Sequence, residues 1–230
     1  MDLRIISIGA LATHPLWGER SAVRSGHSTT TLIRAGKKAI LVDPGLPDQV
    51  IVARLAERAA IKPADITHVF LTSFNPELRR GILAFQGATW WISGTERDAI
   101  GSALVARVQE AAEEGDEALA ATLRQEIAIL HKCQPAPDHL ADDKGERIDL
   151  FPLPGLTPGL TGLLIAGSRY TTLVCGDAIP TIEHLEQGQV LQDAVDVDKA
   201  RESFTEAIEI ADLLVLGRDN LVVNPTKRPF

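Results

Sequence analysis

Cysteine is nearly absent. Cys133 and Cys175 are the only two in 230 residues. Neither sits in a Cys-x-x-Cys pair, so no cysteine metal site or dithiol redox motif is supported. The expectation is two reduced thiols in a cytoplasmic protein. Long apolar runs are missing too, and nothing approaches the roughly 20 residues of a membrane span. The apolar patches of residues 1–12 are interrupted by Asp2 and Arg4, so no export signal is expected. Positive charge is in deficit: 23 Lys and Arg against 31 Asp and Glu give a net charge of −8. An acidic surface argues against nucleic acid or an anionic membrane as partner. Histidine is sparse, with His14, His27, His68, His131, His139 and His184 the full set.

What remains suits one soluble domain with a full core: 45% of residues are hydrophobic and 23% charged. Strands are expected over 3–8, 29–34, 39–42, 66–71 and 89–92 from short apolar or alternating runs, and a helix over 49–60 from its spacing. Asp43-Pro44-Gly45 stops the third strand, because Pro removes a donor and Gly admits special dihedrals. Trp90 and Trp91 are expected as one buried and one half-exposed strand residue, and Trp17 as a loop residue able to cap a pocket. From Thr95 to about His131 the texture changes. Ile100, Leu104, Val108 and then Leu119, Leu123, Ile127 and Leu130 recur at helical intervals on either side of Gly115-Asp116. Pro135-Ala136-Pro137 closes this stretch. Its stripe is expected to pack on the body, with a lid or a dimer surface as the alternatives. Strands follow at 147–152, 162–166 and 171–175, then a helix at 198–211 and a strand at 213–216. The pattern is that of an α/β chain.

Several loop sequences carry more specific information. Thr72-Ser73-Phe74-Asn75-Pro76-Glu77-Leu78-Arg79-Arg80-Gly81 has the frame Thr-His-x-His-x-Asp-His-x-x-Gly without its histidines. Asp43-Pro44-Gly45 ends a strand; Pro154-Gly155-Leu156-Thr157-Pro158-Gly159, Cys175-Gly176-Asp177 and Leu216-Gly217-Arg218-Asp219 follow in order. Together these motifs resemble those of the metallo-β-lactamase fold superfamily. The resemblance implies a four-layer αβ/βα sandwich over residues 1–230, with a helical insertion at 96–140. It also implies which residues stand at the metal positions: Ser73, Asn75, Glu77, Leu78, Leu156, Asp177 and Arg218. Every histidine of the pattern is replaced, and only Asp177 is unchanged.

The family's hydrolases use zinc, iron or manganese to generate hydroxide and polarise substrate. Leu78 and Leu156 offer no lone pair, Ser73 and Asn75 are poor zinc ligands, and Arg218 is a permanent cation. No zinc is therefore expected. Glu77 and Asp177 would repel each other in a common cleft. Arg218 is expected to pair with one of them and replace the metal's charge through parallel hydrogen bonds. A weaker alternative is a hard cation on oxygens of Asp43, Asn75, Glu77 and Asp177. Ser73 as a nucleophile lacks an evident base. Asp43, His27 and His184 are further cleft candidates. The function expected is a pseudo-hydrolase that binds a small molecule or a protein near the old cleft. An active hydrolase with an atypical metal site and a dimeric interaction protein are the alternatives.

Overall fold

The structure is a computed structural model that describes residues 1–143 and 146–227. Two six-stranded sheets form its centre. The first contains β1 (Asp2–Ser7), β2 (Thr30–Ala35), β3 (Lys38–Val42), β4 (His68–Leu71), β5 (Thr89–Ile92) and β6 (Cys133–Pro135), in that spatial order. The second contains β7 (His139–Asp143), β8 (Glu146–Pro152), β9 (Thr161–Ala166), β10 (Thr171–Gly176), β11 (Leu213–Leu216) and β12 (Leu221–Val223), and runs in the reverse order. Helices α1 (Asp48–Ala59), α2 (Gly94–Glu113) and α3 (Glu117–Lys132) belong to the first half; α4 (Ile182–Gln187) and α5 (Val197–Ile210) belong to the second.

Period-two alternation builds the layers. In β4, Val69 and Leu71 join the cluster shared with α1, α2 and α3, while Phe70 faces the opposite way. In β10, Leu173 and Cys175 pack with α5 through Phe204 and Ala207, while Val174 points inward. Phe70, Ile40, Val42 and Trp91 from the first sheet meet Ile148, Leu163, Val174 and Val215 from the second. That middle core glues sheet to sheet, and two outer cores glue helices to sheets. The four-layer αβ/βα sandwich is the fold observed.

The stretch from Thr95 onward is two helices broken at Gly115, which takes φ 74 where a side chain would be strained. Leu104, Ala111, Ala120, Leu123 and Leu130 are buried in the first outer core. The apolar stripe thus packs on the body. Buried Cys133 begins β6, which adds to the first sheet beside β5. This strand, along with β7, β12 and α4, was not legible as a periodic run. Trp90 and Trp91 are both buried, which corrects the half-exposed expectation: β5 lies between β4 and β6, with a core on each face. No described helix is long and apolar enough to cross a membrane.

Strand direction sets the site. β3 and β4 are parallel, as are β10 and β11. Their C-terminal ends therefore release Asp43, the 72–81 loop, Asp177 and Arg218 at one edge of the sandwich. Thr161 N–H donates to Thr72 O at 2.9 Å, which ties the two sheets together there.

Candidate functional site

Arg218 is the centre of this edge. Its side chain is buried, and its Nε and Nη2 donate to Asp177 Oδ1 and Oδ2, both at 2.7 Å. Its Nη1 donates to Glu77 Oε2. The pairing expected from the sequence is thus present, as a two-pronged bond to one carboxylate and a third bond to the other. Burial alone would lower the Arg218 pKa, but Asp177 and then Glu77 raise it above its ordinary value. Gly217 is required beside them: a Cβ there would press on Asp177 Oδ1 at 2.7 Å and collide with Gly176 O. Arg218 N–H is itself held by Pro180 O at 2.7 Å.

Asp43 sits beneath. It is one of two described non-glycine residues with positive φ, at 49°, the other being Ala60, so the strained dihedral falls on Asp43 and not on Gly45. Its carboxylate accepts from Thr72 N at 2.8 Å and Thr72 Oγ1 at 2.7 Å. Its backbone carbonyl accepts from Ser28 and Thr30 hydroxyls. These bonds fix the turn that starts the 72–81 loop. Burial pushes the Asp43 carboxyl up to about 7; Asp177 adds to this, while Thr72 and Arg218 oppose it. A raised folded pKa means that the folded state holds the proton more tightly than the unfolded chain. Stability from this group is present at low pH and is lost as pH rises from about 4 to about 7. Asp43→Asn, a mimic of the protonated state, is expected to gain on the order of 2 kcal/mol over wild type at pH 8 and nothing at pH 4. Urea melts of both proteins across that range check this.

A cavity of about 560 Å³ opens above. Ser73, Asn75, Glu77, Leu156, Asp177 and Arg218 line it, so most of the residues at motif positions come together. The rest are placed elsewhere. Leu78 is enclosed in the interior at 1% exposure, because the short 3-10 turn Pro76–Leu78 points it inward. Asp43 lies below the floor. His27 lies outside the lining, its ring nitrogens against Ser25 O and Ile8 O. His184 is buried, with Nδ1 2.9 Å from Thr181 Oγ1. Burial, with a smaller push from His14, drops its pKa to about 4, so it is neutral near pH 7. Among the described residues Ser73 Oγ has no hydrogen-bond partner, and so no base beside it.

Several important residues carried no signal read from the sequence. Leu11, Ala12, Thr13 and Pro15 form one wall and Leu191, Gln192 and Asp193 another. The first wall is clasped to the start of α4. His14 Nε2 lies 3.2 Å from both Thr181 Oγ1 and Glu183 Oε2; Trp17 Nε1 donates to Glu183 Oε1 at 3.0 Å; and the two rings stack at 4.1 Å. Trp17 is thereby fixed at the rim of a side pocket of about 150 Å³ that shares Arg218 with the main cavity. Glu96 is fully buried and accepts from Phe74 N and Gly159 N, both at 3.0 Å. It bridges the 72–81 and 154–159 loops. Ser93-Gly94-Thr95-Glu96 has the spacing of a helix capping box, which was the available signal. Ser93 does cap α2, but Glu96 turns to the loops instead.

Among the described residues no group of three or more His, Cys, Asp or Glu side chains is placed to hold a metal ion. The fold compares well with solved structures. A protein of Thermotoga maritima, described as a metallo-beta-lactamase, superposes with TM-score 0.67 at 16% identity over 96% of this chain and 98% of that one. AidC, a dizinc quorum-quenching lactonase in complex with the product N-hexanoyl-L-homoserine, gives 0.57 at 23% identity over 79% and 67%. The hydrolase AbOPH of the beta lactamase superfamily gives 0.61 at 16% over 88% and 81%. At these identities the likeness speaks for the fold alone. No curated protein matches the chain in sequence. Residues 23–216 match the metallo-beta-lactamase superfamily, and with two sheets, flanking helices and the loop motifs at one edge, the chain belongs to that superfamily.

Proposed function

We propose that this protein is a pseudo-hydrolase of its superfamily, one whose cleft binds a small molecule without a metal centre. The observation that carries the reading is the Arg218 guanidinium, bound by two prongs to Asp177 and by a third bond to Glu77. A metal pair implied by the fold would need donors around this point. The residues present do not fit one. Leu156 has no lone pair, Ser73 and Asn75 are neutral oxygen donors, and both carboxylates are already engaged by a cation. A divalent ion bound through the oxygens of Asp177 would have to displace the guanidinium that already occupies both of them, which counts equally against the hard-cation alternative. The cavity itself favours binding: it is concave, part apolar, and carries a few convergent polar groups.

The reading is tested by thermal melting with and without metal. The midpoint is expected to stay within about 1 °C in excess EDTA, and likewise in excess zinc or manganese. A ligand that binds only the folded state at 100 times its Kd stabilises by about 2.7 kcal/mol. A clear rise with zinc or manganese, abolished in Asp177→Asn, would contradict the proposal.

A further inference from the structure

We infer that the cleft selects an organic ammonium ion with an apolar tail and rejects carboxylates and phosphates. This deepens the metal-free reading and rests on it. The charged side chains lining the cavity are Glu77, Asp177, Asp193 and Arg218, so one cation stands against three carboxylates. Arg218 is the residue that would draw an anion, but its charge is taken up. Asp177, buried to 3% exposure, neutralises it within the wall, and Glu77 adds a further negative charge. The excess charge therefore belongs to Glu77, which is 31% exposed at its side chain, and to Asp193 at the mouth. Glu77 is firmly placed: Asn75 caps its backbone N–H at 2.9 Å, and Gly26 packs so close that any Cβ there would strike its carboxylate.

A second feature points to a ligand independently of charge. Ser73 is 1% exposed, lines the cavity, and its Oγ has no hydrogen-bond partner among the described residues. Thr157 Oγ1, on the opposite loop of the same cavity, is also buried and unpartnered. Buried hydroxyls without partners are costly and call for an explanation. Each can accept a hydrogen bond. An ammonium group carries three donors and no acceptor. The hydroxyls can donate as well as accept and set no sign by themselves; the carboxylate excess does, since an ammonium group meets acceptors and an opposite charge here, whereas a carboxylate ligand brings a charge of the wrong sign. Leu11, Ala12, Pro15, Leu156 and Leu191 supply the apolar walls for a tail.

The probes are hexylamine, hexanol and hexanoate, which share one alkyl chain and differ in the head. Binding to the full chain at pH 7 is followed by calorimetry and by NMR shifts of Ser73 and Thr157. Hexylamine is expected to bind at least tenfold more tightly than hexanol, with hexanoate weaker still. Glu77→Gln should remove at least tenfold of the amine affinity and leave hexanol unchanged; a circular-dichroism melt confirms that the variant folds. Hexanoate binding as well as hexylamine, an unaffected Glu77→Gln, or no binding of any probe would each overturn the inference. Metal content of the same sample reports separately on the reading beneath it: stoichiometric zinc would sink that reading, whereas a metal-free cleft preferring hexanoate would sink only this one.

Discussion

Arg218→Leu is expected to destabilise the protein by about 3–5 kcal/mol at pH 7, because it leaves a buried carboxylate without its cation. Asp177 is 3% exposed, and both of its oxygens are bonded to the guanidinium. Without Arg218 the two carboxylates would face each other with no guanidinium between them. Arg218→Lys keeps the charge but cannot form the parallel pair, and should cost less, about 1–2 kcal/mol. Urea unfolding of the three proteins at pH 7 measures both effects. A neutral Arg218→Leu would mean that the pair is not the keystone of this edge.

Glu96→Ala should cost a comparable amount, about 3–5 kcal/mol, by a different route. Two backbone N–H groups, of Phe74 and Gly159, would lose their acceptor in the interior. Each buried unsatisfied donor costs about 1–3 kcal/mol. Glu96→Gln should be intermediate, since its amide keeps one acceptor but turns a donor toward the other N–H. The local signature is hydrogen exchange: Phe74 and Gly159 amides should exchange faster in both variants. Because Glu96 joins two loops of the cavity, the same variants should loosen the cleft. The buried Arg79 braces this loop as well. It donates to Phe74 O at 3.2 Å and pairs with Glu126 of α3, which couples the helical pair to the site.

The layers were legible because the central strands are short unbroken apolar runs, as burial on both faces requires. Val69-Phe70-Leu71 and Val215 between Leu214 and Leu216 declare two buried faces at once. The edge elements were not legible for a physical reason. β6 is three residues containing Pro135, and β12 is three residues, too short to show a period. The site was readable where a motif fixes spacing: Ser73, Asn75, Glu77, Leu156, Asp177 and Arg218 line one cavity. Leu78 stands at a motif position yet turns inward, since an apolar side chain at that place gains from the core rather than from the cleft. The wall at 11–15 and the wall at 191–193 were silent. Their places depend on long-range contacts such as His14 with Glu183 and Val195 N–H with Leu156 O, which no local pattern encodes. Glu96 was hidden because its spacing fits a cap, while its contacts lie 22 and 63 residues away.

The central claim is that Arg218 stands in place of a metal centre. The direct measurement is equilibrium dialysis of the purified protein against zinc and manganese, with metal content determined per chain. The account predicts well under 0.1 equivalents of either metal held by the cleft, unchanged in Asp177→Asn. One or two equivalents, retained on dialysis and lost in Asp177→Asn, would contradict it.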